Sequence, residues 1–210
     1  MYLLRIRKAL AKHVQLNFVL YFVLSLLLIL GIIVGSFMVK QFSITEQSFV
    51  LKLSNTYFRV VGDIKYSRAM VFRHSFFGNL FLVLLLWFLG LINLGFIVIP
   101  IIIILKGFTI GYTVGYLVNY YNVRGFLISL FGVYIHNLFI IPAIIGICAL
   151  AMAMSFKYGI SFRKNFHRAN TTARVKEYTL LILVFTLLLL AGSIIEGFFA
   201  PGFLRLAMGL

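Results

Sequence analysis

Residues 105–121 read LKGFTIGYTVGYLVNYY, a stretch fit for lipid that opens on one lysine and carries Gly107, Gly111 and Gly115 four residues apart. Glycine costs a helix up to about 1 kcal/mol against alanine, so three on one stripe need a reason outside the helix itself. The G-x-x-x-G-x-x-x-G spacing supplies one. Lipid gives little hydrophobic drive between helices, and small residues let two backbones approach to van der Waals contact. The stripe is therefore a packing surface, either for another span of this chain or for a second copy or partner span. Thr109 and Thr113 lie on the adjoining face as interhelical hydrogen-bond donors.

Outward from that stretch, the chain is apolar for 46 residues, Phe76 to Tyr121, enough for two spans of about 20 residues. A break at Lys106-Gly107 would leave unequal pieces. A break within NLGFIVIP, residues 93–100, leaves two balanced spans and puts Pro100 in the first turn of the second. Lys106 then lies close enough to the interface to snorkel to the headgroups.

The whole chain supports this reading. Of 210 residues, 63% are hydrophobic and 11% charged, with a mean hydropathy of +1.10, whereas soluble domains carry about 25% charged residues. The expected architecture is an all-α, polytopic membrane domain over residues 1–210, with spans at 18–39, 77–93, 97–121, 137–155 and 179–199. The basic start and first apolar run read as a retained signal anchor. MYLLRIRKALAKHVQLN, residues 1–17, forms a basic interfacial helix. An amphipathic segment at 43–75 opens on the capping box of Ser43 to Glu46. It serves as a membrane-surface helix or as a partner's docking face. Residues 125–156 are too long for one straight crossing. Pro142, with His136-Asn137 just before it, suggests a broken element: a re-entrant or interfacial piece at 125–135 leading into the span at 137–155.

Charge sets the orientation. Four acids stand against 19 Lys and Arg, giving a formal charge of +15. Nucleic acid is not the expected partner; anionic lipid is. With the N-terminus cytoplasmic, the basic loop at 156–177 is also cytoplasmic. The inner side then holds ten Lys and Arg, with Lys106 near it, against eight outside, in the sense of the positive-inside rule. Cys148, the single cysteine, excludes an intrachain disulfide.

Catalytic groups are missing from the pattern. Asp63 is the one aspartate, and none of the four histidines has a ligand partner at H-E-x-x-H spacing. No phosphate loop and no G-x-S-x-G context occur. We expect a protein that is not an enzyme and has neither metal nor cofactor. The polar outliers within the spans are His136, Asn137 and Glu196. Ionisable groups at such positions are expensive and mark function by default. They form either a structural clamp between two spans or part of an ion path.

LKGFTIGYTVGYLV, HNLFIIPA and the closing EGFFAP together resemble the stage II sporulation protein M family. The likeness extends over essentially the whole chain, in the same order of elements. Many wider relatives read P-H-G-x-x-E-x-P-A. Here Tyr134 to Asn137 and Ile140 replace the proline, glycine and acid, which favours the sporulation branch. The resemblance implies a multi-pass membrane protein needed for engulfment of the forespore by the mother cell. It also implies a scaffold that holds two single-span peptidoglycan hydrolases, a lytic transglycosylase and an amidase, at the septal membrane. A channel- or permease-like subunit is the alternative that the polar outliers raise.

Overall fold

The computed structural model describes residues 10–41, 68–161 and 168–208, and among these the chain is helical with no strand. Helix α1 is Phe18–Met38, followed by a 3-10 turn at Val39–Gln41. Helix α2 is Arg68–Gly90, α3 is Gly95–Ser129, a π-helical turn occupies Leu130–Tyr134, α4 is Ile135–Ser161 and α5 is Arg168–Met208. Among the described residues, Phe18–Met38, the kinked stretch Gly95–Phe156 and Val175–Phe198 are long and apolar enough to cross a membrane, and Ser75–Gly90 is a shorter apolar helix.

Helix α4 is the axis of the bundle. Every residue from Gly146 to Ser155 is buried, which is what a helix apolar on all sides requires. Ile144 and Ile147 of α4 share one core with Leu24 of α1, Leu86 of α2, Ile99 and Ile103 of α3, and Leu189 of α5. Outside this core, Phe18, Phe22, Leu30 and Phe37 of α1 point away from the protein, as a lipid-facing surface does.

The chain turns at Leu91–Leu94, inside the segment where two balanced spans require it. Ser155 closes this end. Its hydroxyl donates to the Ile92 carbonyl at 2.7 Å and accepts from the Phe96 N–H at 3.0 Å. The stretch Gly95–Phe156 therefore returns to the level at which it starts. Its corner is Asn122, the one non-glycine residue at positive φ (51°) among those described. Beyond it Gly125 lies on the Leu117 carbonyl, where a Cβ would overlap the backbone.

Three expectations are corrected. Neither proline breaks a helix: Pro142 lies inside α4, and Pro100 is the sixth residue of α3, past its first turn. Each omits one backbone hydrogen bond, a loss that membrane helices tolerate. The break falls instead at Asn122 and the π turn, and His136-Asn137 belong to the opening turn of α4. Lys106 stands eleven residues into α3, roughly 16 Å from its start at 1.5 Å per residue. Most of the basic segment 156–177 is helical, in the ends of α4 and α5; charge marks exposure to water and does not distinguish coil from helix. The amphipathic segment 43–75 lies outside the described residues up to position 67, as do residues 1–9.

Candidate functional site

Two constellations hold the bundle together, one apolar and one polar. The first is a reciprocal glycine contact between α1 and α3. A Cβ on Gly107 would overlap the Leu28 carbonyl, and one on Gly111 the Ile32 carbonyl. Gly115 faces Ser36, whose Cα would lie 3.0 Å from an added Cβ. From the other side, Gly31 and Gly35 of α1 lie on the carbonyls of Ile104 and Phe108. The stripe is thus covered by the chain's own first helix. Thr109 and Thr113 bond their own helix, to the carbonyls of Lys106 and Thr109 at 2.8 Å each, and do not bridge. Gly31 and Gly35 escaped the reading of the sequence, although GIIVG at 31–35 carries the same four-residue spacing.

The second constellation joins α2, α4 and α5. The Ser75 hydroxyl donates to Glu196. The Asn79 amide donates to Ser75 at 3.4 Å and to Ser193 at 3.3 Å. His136 Nε2 lies 3.9 Å from Glu196 Oε2, with side-chain exposures of 12% and 23%. Asn137 does not reach Glu196; its amide donates to the Val133 carbonyl at 2.8 Å and lies 3.3 Å from His136 Nε2. Lys106 of α3 is near enough for its charge to be felt at Glu196 and His136, but among the described residues no ion pair joins it to Glu196.

Helical spacing explains the assembly. Ser75 and Asn79 are four apart on α2, and Ser193 and Glu196 three apart on α5, so each pair shares a face. Their Gly neighbours bring the helices close: Gly197 packs on Phe72, and Gly192 on Ile140. The sequence signal for Ser75, Asn79 and Ser193 was faint, since Ser and Asn are ordinary residues until their partners are known. Chemically, the arrangement holds one carboxylate between a hydroxyl and an imidazole, with an ammonium group farther off. Ser75, Asn79, Asn137 and Ser193 find their partners inside the protein, as low dielectric demands, whereas His136 Nδ1 is buried with no hydrogen-bond partner among the described residues.

At the opposite end, the Tyr178 hydroxyl donates to the Trp87 carbonyl at 3.1 Å, and the Trp87 indole N–H donates to Thr179 at 3.0 Å. Helices α2 and α5 are therefore pinned at both ends by polar contacts.

A family model described as stage II sporulation protein M matches residues 24–201. No curated protein and no solved structure matches the chain.

Proposed function

The chain belongs to the stage II sporulation protein M family, and on that footing we propose that it is a non-enzymatic membrane scaffold of the forespore engulfment machinery. Family membership and the long apolar helices make it a sporulation-related membrane protein. In this reading it sits in the mother cell's septal and engulfing membrane. There it recruits two single-span peptidoglycan hydrolases, a lytic transglycosylase and an amidase.

The observation that carries the reading is the filled interior, in which Ser75, Asn79, Ser193 and Glu196 are bonded to one another. A scaffold needs a filled interior with satisfied polar groups, whereas a transporter needs a wetted site where broken helices meet. Ser75 and His136 converge on Glu196, and Leu24, Leu86, Ile99 and Ile103 fill the bundle with no exposure. The break at Asn122 lies at the corner of the Gly95–Phe156 stretch. These features favour the scaffold over the permease-like alternative.

Five crossings complete the proposal: α1, α2, residues 95–121 of α3, α4 and α5, with the N-terminus cytoplasmic. The return of Ser155 to the Ile92–Phe96 turn supports the pairing of the third and fourth crossings. Residues 42–67 then face the compartment that holds peptidoglycan. Affinity purification from sporulating cells after solubilising the membrane tests the assignment. Co-purification of both wall hydrolases is expected; their absence under conditions that keep the protein folded would overturn it.

A further inference from the structure

The end of the bundle that carries Tyr178 holds a cavity of about 500 Å³, within the 300–1,000 Å³ range of small-molecule sites. Lys12 and His13 line it from the helical residues 10–16 that precede α1, and Glu177 and Tyr178 from α5, over Leu150 and Leu181. The α1 wall is preformed. The Asn17 amide donates to the His13 carbonyl at 2.9 Å, and the His13 ring meets the Tyr21 hydroxyl at 3.4 Å.

Lys12 and Glu177 bring opposite charges to this one cavity from two different elements. No ion pair joins them: among the described residues the one ion pair is His136–Glu196. Both side chains are exposed, while Leu150, Tyr178 and Leu181 beneath them are buried. The cavity also lies where the first apolar helix begins, since Asn17 lines it and Phe18 opens α1. Separated charges over an apolar floor, at the level where a span meets water, match an amphiphile with two charges. We propose that this cavity seats the headgroup of a zwitterionic phospholipid, its phosphate against Lys12 and its ammonium against Glu177. An anionic headgroup would leave Glu177 facing a phosphate, which like charges disfavour.

The test is native mass spectrometry of the full-length protein released from bilayers holding equal phosphatidylethanolamine and phosphatidylglycerol. Retention of phosphatidylethanolamine is expected, reduced at least fivefold in Lys12→Gln and in Glu177→Gln. Both positions are exposed, so unchanged helicity by circular dichroism accompanies the loss. Glu177→Lys should reverse the preference toward phosphatidylglycerol. Glycerophosphoethanolamine and inorganic phosphate, which lack acyl chains, should compete at least tenfold more weakly than the lipid. Equal retention of both lipids by the native protein, an unchanged preference in all three variants, or full displacement by either soluble competitor would overturn the assignment.

Discussion

Gly111 of α3 and Ile32 of α1 meet backbone to backbone, so that a methyl group on the glycine would overlap the isoleucine carbonyl. Gly31 and Gly35 make the same approach from α1. Neither helix can move away without giving up its neighbour's contact, because each supplies the small residues that the other's carbonyls need.

Gly111→Ala should therefore destabilise the protein by about 1–3 kcal/mol, the usual range for overpacking, and Gly111→Leu should prevent assembly. Gly115→Ala, facing Ser36 at a looser distance, should cost less. Gly78→Ala is the control, since nothing lies within 4 Å of the added carbon; it should be neutral or slightly stabilising. Unfolding in mixed micelles ranks the four, and a Gly111→Leu protein as stable as the native one removes the interface.

Glu196 is held by the Ser75 hydroxyl and faces His136, with the Lys106 charge farther off. Glu196→Gln keeps shape and hydrogen bonding and should assemble and complete engulfment. Glu196→Leu leaves the Ser75 hydroxyl and His136 without their acceptor and Lys106 without a nearby opposite charge, a loss of about 1–3 kcal/mol for polar groups left unsatisfied, and should fail. Combining Glu196→Leu with Lys106→Met should restore part of the loss, because the uncompensated charge goes too. Equal failure of Gln and Leu in sporulating cells would point to a carrier of protons or ions.

The backbone of Asn122 sits at φ 51°, ψ −127°, a region nearly reserved for glycine. Asn122→Gly should stabilise by about 1 kcal/mol, the lower end of what such strain stores. Asn122→Val, with a branched Cβ, should destabilise and loosen the return of α4 onto α3. The readout is thermal unfolding of both variants; the opposite ranking would mean that the corner tolerates a branched side chain.

Orientation is open to cysteine labelling. Cys148 is fully buried and is replaced by serine to give a clean background. A single cysteine at position 54 should react with an impermeant reagent in intact cells. Reaction only after the cytoplasm is opened would invert the topology.

The two constellations were legible to different degrees. A stripe of small residues is a one-dimensional pattern, so Gly107, Gly111 and Gly115 stood out from spacing alone. What they touch depends on topology, which spacing does not carry, and GIIVG at 31–35 was passed over for that reason. The polar cluster is harder still. Glu196 and its Ser75 partner are 121 positions apart, and an apolar helix shows no preference for which serine will face inward. His136 and Glu196 were conspicuous because charge is rare in lipid, whereas Ser75 and Ser193 were not. Asn122 gave no signal, since the corner it makes is one where glycine is the expected residue. The prolines signalled too much: Pro100 and Pro142 interrupt hydrogen bonding without ending their helices.

The contact between α1 and α3 also has a timetable. Ile32 precedes Gly111 by 79 residues, and at roughly 5–20 residues per second of synthesis it waits on the order of 4–16 s for its partner. During that interval α1 stands alone in the bilayer, held by a hydropathy of 2.9, the highest among the three long apolar stretches, with Gly31 and Gly35 bare to lipid. Any helix presenting small residues at four-residue spacing can occupy that face first, and the most abundant such helix in an overproducing cell is the α3 of a neighbouring copy. Crowded synthesis is therefore expected to raise the share of exchanged pairs, in which each copy's first helix rests on the other's third, and size-exclusion chromatography at rising expression level checks it.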